Sequence, residues 1–159
     1  MSGPSEITAF APATVANLGP GLDVLGLALA APGDRVTARL VAGRGVTITM
    51  VTGAGGALPL DPAMNTAGIA AQATLAKAGI DTGVSLTLHK GMPIGSGIGS
   101  SAASAAAAAY ALNLLIGSPL RKAELVGPCL AAEAAVSGRH ADNVAPALLG
   151  GLILVRSID

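Results

Sequence analysis

Polar and apolar residues alternate at period two along three stretches of this chain, and each stretch predicts a half-buried strand. They are Arg35 to Val41, Gly45 to Thr52 and Gly83 to Lys90. The second puts Val46, Ile48 and Met50 on one face. The third puts Val84, Leu86 and Leu88 on one face and Ser85, Thr87 and His89 on the other, so His89 is expected at the surface. A shorter strand is expected at Ile7 to Ala11, limited by Pro12, and a last one at Leu152 to Arg156 after Gly150-Gly151. Asn65 to Ala78 reads as a helix, with Asn65 as N-cap and Gly79 as terminator. The Ala-rich run from about Ser101 to Ile116 reads as a second. Arg121 to Ser137 reads as a third, which Pro128 should kink or split. Gly33-Asp34, Gly53 to Pro62, Gly117-Ser118-Pro119 and the polar stretch Gly138 to Ala147 are expected to be turns and loops. Leu22 to Ala30 is apolar around one carboxylate, Asp23. Strands followed by strand–loop–helix units predict an α+β fold rather than a doubly wound parallel sheet.

Composition sharpens this picture in three ways. The chain has 159 residues, 52% of them hydrophobic, yet only one Phe, one Tyr and no Trp. That is enough for one domain with a core, built from Ala, Val, Leu and Ile. Such a core buries less apolar area per residue, so modest stability is expected. Nine basic residues balance nine acidic ones without a run of like charge, which argues against nucleic-acid or polybasic membrane surfaces. The single cysteine, Cys129, excludes an internal disulfide framework and fits a reducing cytoplasm. It is expected to be a small buried side chain. Met1 to Glu6 lacks the pattern of a signal peptide. Ala102 to Ile116, interrupted by Ser104 and Asn113, is too short to span a bilayer.

The strongest chemical signal lies between the third strand and the second helix. Pro93-Ile94-Gly95-Ser96-Gly97-Ile98-Gly99-Ser100-Ser101-Ala102 sets three glycines at alternate positions before two serines that open the Ala-rich helix. Glycine lets backbone N–H groups approach a ligand closely, and a helix N-terminus offers free donors and a partial positive charge. Together they make a phosphate site. No Lys follows Gly99, which excludes a Walker A loop. Ser100 stands where a dinucleotide fingerprint needs its third glycine.

The arrangement Pro93 to Ala102 resembles the phosphate motif of the GHMP small-molecule kinases, P-x-x-x-G-(L/I)-G-S-S-A. Two further segments resemble the homoserine kinase branch of that family. One is Ala11 to Gly26, A-P-A-T-V-A-N-L-G-P-G-L-D-V-L-G. The other is Ser137 to Gly151, S-G-R-H-A-D-N-V-A-P-A-L-L-G-G, in which only Arg139 separates Gly138 from His140. Order and approximate spacing of the three segments agree. The resemblance implies an α+β, ribosomal-protein-like fold with a left-handed βαβ unit, and ATP-dependent phosphorylation of the L-homoserine hydroxyl. It covers the first half of the family's length. The chain is therefore expected to be the ATP-binding N-terminal part, 1–159, with the C-terminal GHMP domain outside it, and little active alone. A related kinase acting on mevalonate or shikimate is the first alternative, and a non-catalytic nucleotide-binding module the second.

Residue by residue, the resemblance implies that Pro93 to Ser101 wrap the ATP phosphates and that Ser101, with Ser100 the neighbouring alternative, holds Mg²⁺ together with Glu133. The plainer alternative is that Ser100 and Ser101 merely cap the helix and that Glu133 is an ordinary solvated helix residue. Asn17, Asp23, His140 and Asn143 are expected around the acceptor, with Asn143 and His140 beside its hydroxyl, against the alternatives of a turn or cap residue at Asp23 and a structural hydrogen-bonding histidine at His140. Some relatives use an Asp in a comparable loop as base; here Asn143 takes the positioning role and Asp142 stays a structural carboxylate. Asn65 and Lys90 are placed near adenine, against the alternative of a helix cap and an exposed lysine. The partner implied is a small molecule, with no nucleic acid and no membrane, and a homodimer is left open.

Overall fold

In the computed structural model, residues 4–53, 58–136 and 138–157 are described. The strands are β1 (Glu6–Leu18), β2 (Gly21–Val41), β3 (Gly45–Gly53), β4 (Gly83–Lys90) and β5 (Leu152–Leu154). The helices are α1 (Thr66–Ala78), α2 (Ser100–Leu115), α3 (Val126–Ala134) and α4 (Ala141–Leu149), with a 3-10 turn at Lys122–Leu125. The sheet runs β1-β2-β4-β3, and β5 pairs with β2. All pairs are antiparallel except β3 with β4, which α1 connects as a parallel βαβ unit. The mixed sheet with helices is the expected α+β class.

The core-facing register begins in β1 with Ala9, Ala11 and Ala13 and continues in β2 with Val36 and Ala38. In β4 it carries Val84, Leu86 and Leu88, all buried. The other face is polar and zipped by threonines: Thr8 with Thr37, Thr49 with Thr87, and Thr52 with the exposed His89. Such cross-strand pairs each contribute a few tenths of a kcal/mol, up to about 1. Helix α2 lies at the centre, touching β1, β2, α1, α3 and α4. Twelve of its sixteen residues are buried, as expected of a helix that is apolar all round. Its alanines let every neighbour approach closely. At the ends of α1, Asn65 accepts from the Ala67 N–H, and Gly79 adopts φ 66° and donates to the last carbonyls. Both caps are where the sequence put them.

Several local expectations are corrected. Pro12 does not end β1; its missing N–H falls where the pairing shifts, between Pro12 and Thr14. Gly33-Asp34 is no turn. The two residues lie inside β2, opposite Pro12 and Ala11, and the glycine is required by proximity. A Cβ on Gly33 would sit 2.4 Å from the Phe10 ring and 2.5 Å from the Ala11 carbonyl oxygen. A bulge at Thr49 breaks the alternation of β3, so Ile48 pairs with Leu86 but Met50 pairs with Thr87 and is half exposed. Pro128 does not kink a helix; it occupies the third position of α3, where no intrahelical N–H donor is needed. The segment is divided before it, at the 3-10 turn, and α3 ends at Ala134. The stretch Gly138 to Ala147 is not all loop: from Ala141 it is α4, with Asp142 in the first turn. The expected last strand is shorter, Leu152–Leu154. The N-terminal Met1 to Gly3, part of the Gly53 to Pro62 loop, the expected helix end at Ser137 and the chain end at 158–159 fall outside the described residues.

Candidate functional site

The N-terminus of α2 opens onto a cleft of about 510 Å³ lined by residues from all three sequence motifs. From the glycine loop come Ile94, Gly95, Ser96, Gly97, Gly99, Ser100 and Ser101. From the β1–β2 hairpin come Asn17 and Asp23, and from α4 and the turn before it come His140, Asp142 and Asn143. Glu133, Asn65 and Lys90 complete the expected set. Two expected residues are not brought there. Pro93 is exposed outside the cleft, and Ile98 packs its side chain against the core.

Gly95, Gly97 and Gly99 all adopt φ near 70°, a conformation that costs other residues about 1–2 kcal/mol. Gly99 is the N-cap of α2, and among the described residues no side chain caps the helix. Ser100 and Ser101 are therefore not caps, and the first N–H groups of α2 remain available for an anion. The Ser101 hydroxyl lies 2.9 and 3.0 Å from the two carboxylate oxygens of Glu133. Glu133 is 4% exposed, which removes the reading of a solvated surface residue. A hydroxyl and a carboxylate at the glycine-loop end of the cleft form a hard oxygen donor set, the kind Mg²⁺ uses together with phosphate oxygens.

Lys90 is neither exposed nor presenting a free ammonium. It is buried, ion-paired with Asp34. It also donates to the Ser104 hydroxyl (2.7 Å) and the Ser100 carbonyl (2.9 Å). Asp34 in turn accepts from Ser104 Oγ at 2.7 Å and from the Gly91 N–H at 3.0 Å. Burial pulls the Lys90 pKa below its ordinary value, and Asp34 opposes that shift. This buried network braces the start of α2 from below. Asp34 and Ser104 were not anticipated from the sequence, although a signal existed. Lys90 follows Val84, Leu86 and Leu88 at the same parity, so it faces the core and requires a buried carboxylate. Asn65 is also buried; it caps α1 and its Nδ2 donates to the Pro59 carbonyl (2.9 Å).

In the β1–β2 hairpin, Asn17 and Asp23 both adopt positive φ, 58° and 59°. The Asp23 N–H donates to Asn17 Oδ1 at 3.1 Å, which fixes the mouth of the hairpin. His140 Nδ1 lies 3.6 Å from Asp23 Oδ1. Together with a carboxylate oxygen of Asp142 they bring three ligand-type atoms within 4.8 Å of one another. Asp142 is buried, and among the described residues its Oδ1 has no hydrogen-bond partner. Burial raises the Asp142 pKa, with Asp23 adding to the rise and His140 opposing it. Thr14 is a third residue whose role the sequence did not disclose: its hydroxyl donates to Asn143 Oδ1 at 2.8 Å. Cys129 is buried and does not line the cleft, its thiol pushed up to about 12 by burial and by Glu133.

Residues 65–151 match the N-terminal domain of the GHMP kinases. The chain is 53% identical over 158 residues to the homoserine kinase of Arabidopsis thaliana, covering 97% of this chain and 43% of that protein. It is 46% identical over 165 residues to that of Chloroherpeton thalassium, covering 97% and 52%. The crystal structure of homoserine kinase from Cytophaga hutchinsonii matches with a TM-score of 0.93 at 47% identity, covering 99% of this chain and 50% of that one. Mevalonate kinase from Methanococcus jannaschii, 16% identical with a TM-score of 0.72, shares the fold. The chain thus spans about half the length of these relatives. No helix among the described residues is long and apolar enough to cross a membrane. The glycine loop at the head of α2, the Ser101–Glu133 contact beside it and the match over residues 65–151 lead to one assignment: this chain belongs to the GHMP kinase family.

Proposed function

We propose that this chain is the ATP-binding, N-terminal portion of a kinase that phosphorylates the side-chain hydroxyl of L-homoserine. The observation that carries the proposal is the meeting of two chemically different residue sets in one cleft. One set, the glycine loop with Ser101 and Glu133, suits a nucleotide phosphate; the other, Asn17, Asp23, His140 and Asn143, suits a small zwitterion with a hydroxyl. The relatives at 43–53% identity bear the name homoserine kinase.

ATP is implied by the family, and its phosphates lie against the N–H groups of Gly95 to Ser101. Ser101 and Glu133 would hold Mg²⁺, which supplies charge neutralisation at the phosphates. The homoserine hydroxyl oxygen attacks the γ-phosphorus, the bond to the bridging oxygen breaks, and ADP leaves with that electron pair. The hydroxyl proton passes to solvent or to a phosphate oxygen, which a loose transition state tolerates. Asn143 and His140 orient the hydroxyl, and the Asp23 carboxylate faces the substrate ammonium. On this reading the product, O-phospho-L-homoserine, serves threonine biosynthesis in the cytoplasm.

The test is an ATP- and Mg²⁺-dependent assay offering homoserine, mevalonate and shikimate separately. It is run on the 159 residues and on a chain extended through any sequence that continues beyond Asp159. Selective phosphorylation of homoserine by the extended chain is expected, with negligible turnover by the 159 residues. Preference for another alcohol overturns the substrate, and absence of phosphorylation by a folded extended chain overturns the kinase reading.

A further inference from the structure

Thr14 occupies an unusual crossing point. It is fully buried in β1, yet it bonds to both halves of the cleft. Its N–H donates to the Ile98 carbonyl (3.0 Å), inside the glycine loop. Its hydroxyl donates to Asn143 Oδ1 (2.8 Å), in the first turn of α4. Among the described residues that hydroxyl makes no other side-chain hydrogen bond. The two groups also meet Gly99 closely: a Cβ there would fall 2.1 Å from Thr14 Oγ1 and 3.0 Å from Asn143 Oδ1. The three residues form one packed junction beneath the cleft.

A carboxamide has one accepting and one donating end. Thr14 can give its hydroxyl proton only to the accepting end, so Oδ1 is turned inward. Asn143 Nδ2 then makes no hydrogen bond among the described residues. It is not among the buried atoms that lack a partner, and Asn143 lines the cleft. The donating end therefore faces the space where the reactants meet.

We propose that Thr14 is a positioning residue: its hydroxyl holds Asn143 with the amide nitrogen toward the cleft, and its backbone N–H registers the glycine loop to that amide. This inference rests on the proposed kinase reading. It adds that Asn143 acts as a donor, to the acceptor hydroxyl oxygen or a phosphoryl oxygen, and takes no proton. It also makes the separation between donor loop and acceptor amide depend on one strand residue rather than on two independent loops.

Thr14→Val keeps the β-branched shape and the N–H to Ile98 and removes only the hydroxyl. Thr14→Ser restores a hydroxyl. The first readout needs no catalysis: the side-chain NH₂ resonances of Asn143 in the 159-residue chain, identified by their loss in Asn143→Asp. They are expected to shift in Thr14→Val and to return toward the wild-type position in Thr14→Ser. Unmoved Asn143 resonances in Thr14→Val overturn the proposal. The second readout is kinetic, on the extended chain. Losing one aligned hydrogen bond is expected to lower kcat about tenfold to hundredfold in Thr14→Val, with KM for ATP unchanged because the backbone tether remains. Adding Thr14→Val to Asn143→Ala should cost little further, since both act through one amide. Full additivity, or a loss seen only in thermal stability, overturns the positioning role. If wild type phosphorylates no homoserine, the function reading fails, and the Asn143 resonances still decide the role of Thr14.

Discussion

Replacing Asp34 by Asn tests how the floor of the cleft is held. Lys90 and Asp34 have 3% and 1% of their side chains exposed. The substitution keeps the size of the side chain and removes its charge, leaving a buried ammonium with Ser104 and the Ser100 carbonyl as its remaining partners. An orphaned buried charge costs about 3–5 kcal/mol. A ceiling follows from titration, because the lysine can shed its proton instead. From its ordinary pKa of 10.5, neutralising it at pH 7 costs about 1.4 kcal/mol per unit over 3.5 units, or about 5 kcal/mol. The ceiling falls with pH, to about 1.4 kcal/mol at pH 9.5. The sign follows from linkage. Lys90 has a lowered pKa in the folded state, so between that value and 10.5 the unfolded chain binds more protons and stability rises with pH. Removing Asp34, which raises the Lys90 pKa, lowers it further and widens that window. Urea unfolding of wild type and Asp34→Asn at pH 7 and pH 9.5 measures the difference. A loss of about 3–5 kcal/mol at pH 7 that shrinks by more than half at pH 9.5 is expected. A loss under about 1 kcal/mol, or one independent of pH, refutes the argument that the pair is held by the cost of an unpaired buried charge.

Three further outcomes follow. Gly99→Ala must accept both a positive φ of 71° and a Cβ 2.1 Å from Thr14 Oγ1; thermal melts should show a loss of at least about 1–2 kcal/mol, and an unchanged midpoint would contradict the junction. Asp142→Asn removes a buried charge whose pKa is raised, so the variant should be at least as stable as wild type at pH 7. That advantage belongs to pH above the folded pKa and should vanish below about pH 3.8, where both states of the wild type are protonated; a Tm series across pH 3–7 checks it, and a less stable variant at pH 7 refutes it. Cys129, buried with its thiol pushed up to about 12, should resist thiol reagents at pH 8 in the folded chain and react on unfolding; mass spectrometry reads the adduct, and fast native labelling would place the thiol at the surface.

What could be read directly from the sequence was whatever one residue decides with its immediate neighbours. Asn65 and Gly79 bound α1 by their own caps, and the parity of Val84, Leu86 and Leu88 gives the inner face of β4. The glycine loop was legible because three alternating glycines have few uses other than to shape a backbone around an anion. Several of the misreadings involve partners distant in sequence. Gly33-Asp34 looks like a turn until Phe10 is known to lie against the glycine and Lys90 against the aspartate. The polar start and Pro146 disguise α4. Proline cannot donate to the carbonyl four residues back, Asp142, and strand β2 packs directly there: a Cβ on Gly26 would lie 1.7 Å from the Asp142 carbonyl oxygen. Thr14 stands within a recognisable motif, but its two partners are 84 and 129 positions away (98 − 14 and 143 − 14).

The alanine surface of α2 has a mechanical consequence. From Ala102 to Ala109 the helix is clothed in methyl groups and one serine and offers its neighbours no long side chain that can swing aside, so the elements packed there rest almost on its backbone. An enlarged residue along it, for instance at Ala105 or Ala109, both 0% exposed, could be accommodated only by moving whole elements. The helix then behaves as a rod seated in a tight sleeve, with the phosphate loop at its tip. Displacement imposed well down the rod would emerge at that tip, and nucleotide affinity would become adjustable from positions that never touch the nucleotide.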